Sequence, residues 1–159
     1  MAGVHIQVDT REVSQALERL VRFGRRPDAA LKDVGEYMQR SVDDRFISQT
    51  DPDGQAWAPN TAATLLRKRN PKVLHESTIL RGSIHYQVSG GELRQGTPMI
   101  YGAVQQLGAG KGDFGKTSKG GPIPWGDIPA RRFLGFSTGD RGEILRLLEE
   151  HGTGAWSGR

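Results

Sequence analysis

The residues best equipped for chemistry lie in two short stretches. Gly110-Lys111-Gly112-Asp113-Phe114-Gly115-Lys116-Thr117 satisfies the phosphate-loop spacing of glycine, four residues, glycine, lysine and a hydroxyl residue. Such a loop cradles phosphate when a buried strand leads in and a helix leads out, so that the helix N-terminus faces the anion. Here the preceding residues read as a helix ending at Leu107, and Ser118-Lys119-Gly120-Gly121-Pro122 cannot start one, so the match reads as incidental. Asp51-Pro52-Asp53-Gly54 begins like a calcium loop, but Gln55 and Ala62 stand where a third oxygen ligand and a bidentate glutamate belong. It reads as a turn. His5, His75, His85 and His151 are scattered without ligand spacing, and the serines fall mainly at caps and turns, without a nucleophile elbow. The chain has no cysteine. No catalytic set emerges, so a non-enzyme with no cofactor and no metal is expected.

Charge points to partners only weakly. Lysine and arginine outnumber aspartate and glutamate by 22 to 18, a net charge of +4, which fits a soluble basic surface better than a dedicated nucleic-acid binder. Arg67-Lys68-Arg69 with Lys72 suits a solvated helix end or a phosphate contact. Arg131 and Arg132 beside Phe133 suit either an interface, where arginine and aromatic groups are enriched, or an ordinary strand terminus. The N-terminus lacks the pattern of a signal peptide, and no window nears the roughly 18 apolar residues of a membrane helix, so no membrane role is expected.

The elements that would carry these residues follow from periodicity. The length, 159 residues, suits one domain, here 1–152, with 153–159 as a flexible C-terminal tail beyond Gly152. Apolar residues are 35% of the chain, so the core is lean. Val4-His5-Ile6-Gln7-Val8 alternates like a strand. Val13, Ala16, Leu17, Leu20 and Val21 give an amphipathic helix stopping near Gly24, and Leu31, Val34, Met38, Val42 and Phe46 give a second, starting near Pro27. Short helices are expected at 61–69 and 78–81, and a hairpin over 83–97 turns at Gly90-Gly91. Ile100, Tyr101, Val104 and Leu107 predict a helix closed by Gly108, followed by a long irregular loop near 108–130. Arg131-Arg132-Phe133-Leu134-Gly135-Phe136 predicts a strand completing the sheet, and Ser137 with Asp140 a capping box before a last helix. The fold class is α+β, a small, mainly antiparallel sheet packed with about three to five helices.

Four stretches, read in order, carry a resemblance. Phe46 to Pro59 (FISQTDPDGQAWAP), Ile79 to Ile84 (ILRGSI), Gly96 to Gly108 (GTPMIYGAVQQLG) and Ile128 to Asp140 (IPARRFLGFSTGD) resemble the phage virion-morphogenesis, or tail-completion, family of Mu-like and P2-like tailed bacteriophages. The resemblance implies a structural virion protein at the neck, assembled in the host cytoplasm, that makes the tail competent to join a DNA-filled head. It further implies a ring, commonly a hexamer, whose neighbours are the tail tube protein and a head-side connector or stopper. Trp57, Pro59, Arg131, Arg132, Phe133, Phe136 and Trp156 are then candidate interface residues, with core packing the equal alternative for Trp57, Pro59, Arg131, Phe133 and Phe136. Lys111, Lys116 and Lys119 would line a DNA channel through non-specific phosphate contact, or touch a protein partner. The rival roles are a tail terminator, a head-side adaptor or stopper, and a small DNA-binding regulator.

Overall fold

A computed structural model describes residues 11–75 and 78–158. The strand expected at Val4 to Val8 lies outside them. Among the described residues there are six helices and one two-stranded sheet: α1 Arg11–Arg25, α2 Asp28–Ser48, α3 Ala62–Leu65, α4 Ile79–Gly82, β1 His85–Ser89, β2 Glu92–Gly96, α5 Ile100–Leu107 and α6 Thr138–Ser157. The α+β class holds, with α3 and α4 as single turns that raise the helix count above the expected range.

Helix α2 is the axis on which the rest is hung. Its stripe buries Val34, Met38, Val42 and Phe46 as the spacing requires, and Pro27 occupies its N-cap. The helix ends at Gln49, whose left-handed backbone (φ 60°) turns the chain before the Asp-Pro-Asp-Gly segment is reached. Gln49 then ties three segments together. Its Nε2 donates to Phe46 O, its Oε1 accepts from Val73 N, and its carbonyl accepts from Trp57 N.

The β1–β2 hairpin pairs Val88 with Leu93 and Tyr86 with Gln95, turning at Gly90 and Gly91, both at positive φ as a tight hairpin demands. Its half-buried face lies on α2. A glycine in the middle of α2 explains how closely: a Cβ on Gly35 would stand 2.4 Å from the ring of Tyr86. Gln39 adds polar seams, donating to Ile84 O and accepting from Gln95.

The core consists of Val42, Phe46, Trp57, Val73, Leu80, Ile84 and Phe133. At its centre Phe46 meets Trp57 edge-on at 5.2 Å and Phe133 at 5.5 Å, within the range where aromatic rings attract.

Two expectations need correction. Residues 131–136 form no strand: Arg131 and Phe133 are buried while Arg132 and Phe136 stay exposed, and side chains rather than a neighbouring strand satisfy much of the segment's backbone. Gln106 Oε1 accepts from Phe133 N and Leu134 N while its Nε2 donates to Leu134 O, and Arg45 takes the carbonyls of Phe133 and Gly135. Gly152 does not stop α6, which runs on to Ser157 and is capped by left-handed Gly158, so residues 153–157 are helical. Arg19 of α1 fixes that end by donating to the carbonyls of Ala155 and Trp156. Helix α1 ends at Arg25, beside the expected stop at Gly24, and its stripe is only partly covered, since Val13, Leu17 and Val21 are each about half exposed.

The predicted capping box at Ser137 and Asp140 is present, and Asp140 does more than cap. Its carboxylate meets Arg45 Nη2 at 2.5 Å in the interior, and accepts from Tyr37 Oη, Ser41 Oγ and Ser137 N. Burial by itself would raise this carboxyl, but the hydrogen bonds from Ser137, Ser41 and Tyr37 outweigh it and hold the group below the ordinary aspartate value. A depressed carboxyl contributes stability in full above its unfolded value of about 4, and that contribution is lost as pH falls through the folded value. Thermal unfolding followed from pH 7 to acid should therefore show stability declining below about pH 4. In Asp140→Asn, which strands the Arg45 charge, stability at neutral pH should fall by about 3–5 kcal/mol, with Tm lower by on the order of 10 °C. The acid-dependent decline should be correspondingly shallower; an unchanged Tm would show that the pair does not hold the fold.

Candidate functional site

Successive residues of the 131–136 segment do different work. Arg131 points inward: its Nε donates to Ala58 O at 3.0 Å, its Nη2 to Pro59 O at 3.3 Å and its Nη1 to Gln105 Oε1 at 3.2 Å. All three partners are neutral, and burial alone pulls its pKa down. Arg132 points outward and clasps the Asp-Pro-Asp-Gly turn, pairing with Asp51 at 2.8 Å and with Asp53. The hydrogen bonds that Arg132 donates to those two carboxylates raise its pKa. In return, although burial opposes it, the bond from Arg132 keeps Asp51 below the ordinary value. Asp51 also accepts the N–H groups of Asp53 and Gln55, so this acidic pair serves a turn and an arginine. Trp57 Nε1 donates to Arg132 O, joining the two stretches.

Of the residues singled out in the sequence, Trp57, Arg131 and Phe133 are thus inside, packed on the chain's own atoms. Pro59, Arg132 and Phe136 remain at the surface of the same region. Trp156 is exposed on the last turns of α6, beside α1.

The long loop folds back on itself as an arm. Ala109 and Ile128 exchange both backbone hydrogen bonds at its base, Phe114 N donates to Ile123 O further out, and Thr117 N donates to Gly121 O near the tip. Lys111, Lys116 and Lys119 all lie exposed on this arm, together with the large apolar side chains of Phe114 and Trp125. The phosphate-loop match is occupied by the arm's own folding. The N–H groups of residues 110–115 and of Thr117 are donated internally, for instance Gly110 to Asp113, Lys111 to Asp127 and Gly112 to Pro124. Helix α5 precedes it and a turn at 118–120 follows.

What sequence reasoning missed is the polar scaffolding: Arg45, Gln49 and Gln106. Arg45 carried a signal, being a charge inside the apolar stripe between Val42 and Phe46, with Ser41 and Gln49 instead of acids one turn away. Its partner had to be remote. The apolar positions of α5 also fail to turn inward: Ile100 is 93% and Leu107 76% exposed, while Gly102 is the buried residue. Among the described residues no group of His, Asp and Glu is placed to hold a metal ion, and no helix is long and apolar enough to cross a membrane.

Buried polar groups thus hold the loops of this chain in place, and large apolar residues stand outside on several elements. Residues 8–152 match the model of the phage virion morphogenesis family, nearly the whole chain. The chain belongs to that family, and its role is a structural one in building the phage particle. Searches of curated proteins and of solved structures returned no match.

The two phenylalanines of the segment should separate core from surface. Phe133→Ala should cost about 3–5 kcal/mol in urea denaturation, whereas Phe136→Ala, with Phe136 already 55% exposed, should change stability by less than about 0.5 kcal/mol. The reverse ranking would place the wrong residue in the core.

Proposed function

We propose that this virion protein is a tail-completion subunit, forming a ring at the neck that joins the finished tail to the DNA-filled head. The observation that carries the reading, beside family membership, is that apolar side chains are left outside on two different elements. Val13, Leu17 and Val21 are about half exposed on α1, and Ile100 and Leu107 stand mostly outside on α5 with Tyr101 partly so. A closed ring of identical subunits needs two unlike surfaces that meet head to tail, and uncovered apolar side chains are the usual material of such contacts. Six subunits are the expected number, with the tail tube protein on one side and the head-side connector or stopper on the other.

In this reading the basic arm faces the channel. Lys111, Lys116 and Lys119 sit exposed on the segment closed off by the bridge between Ala109 and Ile128. Lysines so placed would contact passing DNA through its phosphates, without reading sequence.

Electron microscopy of particles from a phage lacking this gene tests the role. Full heads beside unjoined tails of normal length are expected; tails of irregular length would favour a terminator, and normal infectious particles would sink the reading. Replacing Lys111, Lys116 and Lys119 with glutamine should leave Tm unchanged and lower the yield of infectious phage. A yield equal to the parent's would end the channel assignment.

A further inference from the structure

The interior holds two guanidinium groups that are handled differently. Arg45 is 5% exposed and has the Asp140 carboxylate as its counter-ion. Arg131 is 8% exposed, yet its hydrogen bonds go only to two backbone carbonyls and the Gln105 amide. A guanidinium carries five N–H donors, so these three bonds leave donor capacity over. Buried charges are ordinarily paired, because desolvation of an unpaired one is costly.

Arg131 also lines a cleft of about 400 Å³ bounded by the 60–64 segment, α5 and the base of the arm. Thr61, Thr64 and Tyr101 bring hydroxyl groups to its walls, and Leu74, Ile128 and Pro129 bring apolar surface. We propose that this cleft receives one carboxylate, an aspartate or glutamate side chain of a neighbouring protein chain, and that Arg131 is the counter-ion awaiting it.

The shape favours an acidic side chain over nucleic acid. Arg131 is withdrawn from the surface, where a single carboxylate on a slender stem reaches it and the phosphates of a broad duplex do not. Apolar walls suit the methylene stem of such a residue. Two further charged residues line the same cleft: Lys68, whose Nζ donates to Lys72 O, and Asp127, whose Oδ1 accepts from Lys111 N. One carboxylate can sit clear of Asp127, whereas a polyanion would bring several charges past it. The inference holds whether or not the chain acts at the neck, since it concerns binding by the purified protein.

The test uses the full chain, labelled with nitrogen-15 and titrated at fixed ionic strength with the blocked tripeptide Gly-Glu-Gly. Saturable shifts are expected at the Arg131 Nε–H and at the backbone amides of Thr61, Tyr101 and Ile128, with Gly-Gln-Gly binding about tenfold more weakly or less. Because Arg131→Met could disturb the loops that Arg131 holds, the decisive variant is Gln105→Glu. It sets a carboxylate where Gln105 Oε1 now lies, 3.2 Å from Arg131 Nη1. This variant should raise Tm and weaken the glutamate peptide by about tenfold or more. Absence of saturable shifts, an equal response to the glutamine peptide, or undiminished binding by Gln105→Glu would overturn the proposal. So would a stronger response of the same amides to a short DNA duplex.

Discussion

The contact between Arg45 and Asp140 sets where the parts of this molecule can be. Arg45 lies on the buried side of α2 and Asp140 in the first turn of α6, so their meeting fixes the start of one helix against the end of the other. The same guanidinium holds the carbonyls of Phe133 and Gly135, which places Phe133 against Phe46. A buried ion pair is a poor source of net stability, because two well-packed apolar residues often do as well in its place. Its value here is positional: a charge in the interior tolerates few arrangements, and this one is satisfied only when α2, the 131–136 segment and α6 are all seated together.

Side-chain amides extend that logic to the loops. Gln106 serves residues 133–134 as a neighbouring strand would, and Gln49 links the end of α2 to the segments bearing Trp57 and Val73. A chain with only 35% apolar residues cannot order long connections by burial alone, and buried backbone groups must find partners wherever they run. Glutamines and arginines supply those partners here.

This accounts for what the sequence disclosed and what it did not. Periodicity located α2, the hairpin and the start of α6 because each is specified by residues near in the chain: the stripe from Val34 to Phe46, the alternation around Gly90-Gly91, the box at Ser137 and Asp140. Residues 131–136 look like a strand locally, but their hydrogen bonds are decided by Gln106 and Arg45, far away in sequence and not marked by pattern. Gly152 reads as a stop and is overruled by the packing of α1 on α6 and by the bonds from Arg19. The family was legible because its motifs fall on the very turns and buried segments that the fold requires. Which face meets which neighbour depends on chains that the sequence does not contain.

The clasp at the base of the arm has a consequence for how such a protein can change. Ala109 and Ile128 bond each other through the backbone, in a form indifferent to what lies beyond. Everything from Gly110 to Asp127 is therefore a cassette: its length and composition can drift without disturbing the aromatic core, since lengthening a closed loop costs little. A lineage could refit that segment to a new partner while the rest of the molecule stays as it is, and variation among relatives should pool there.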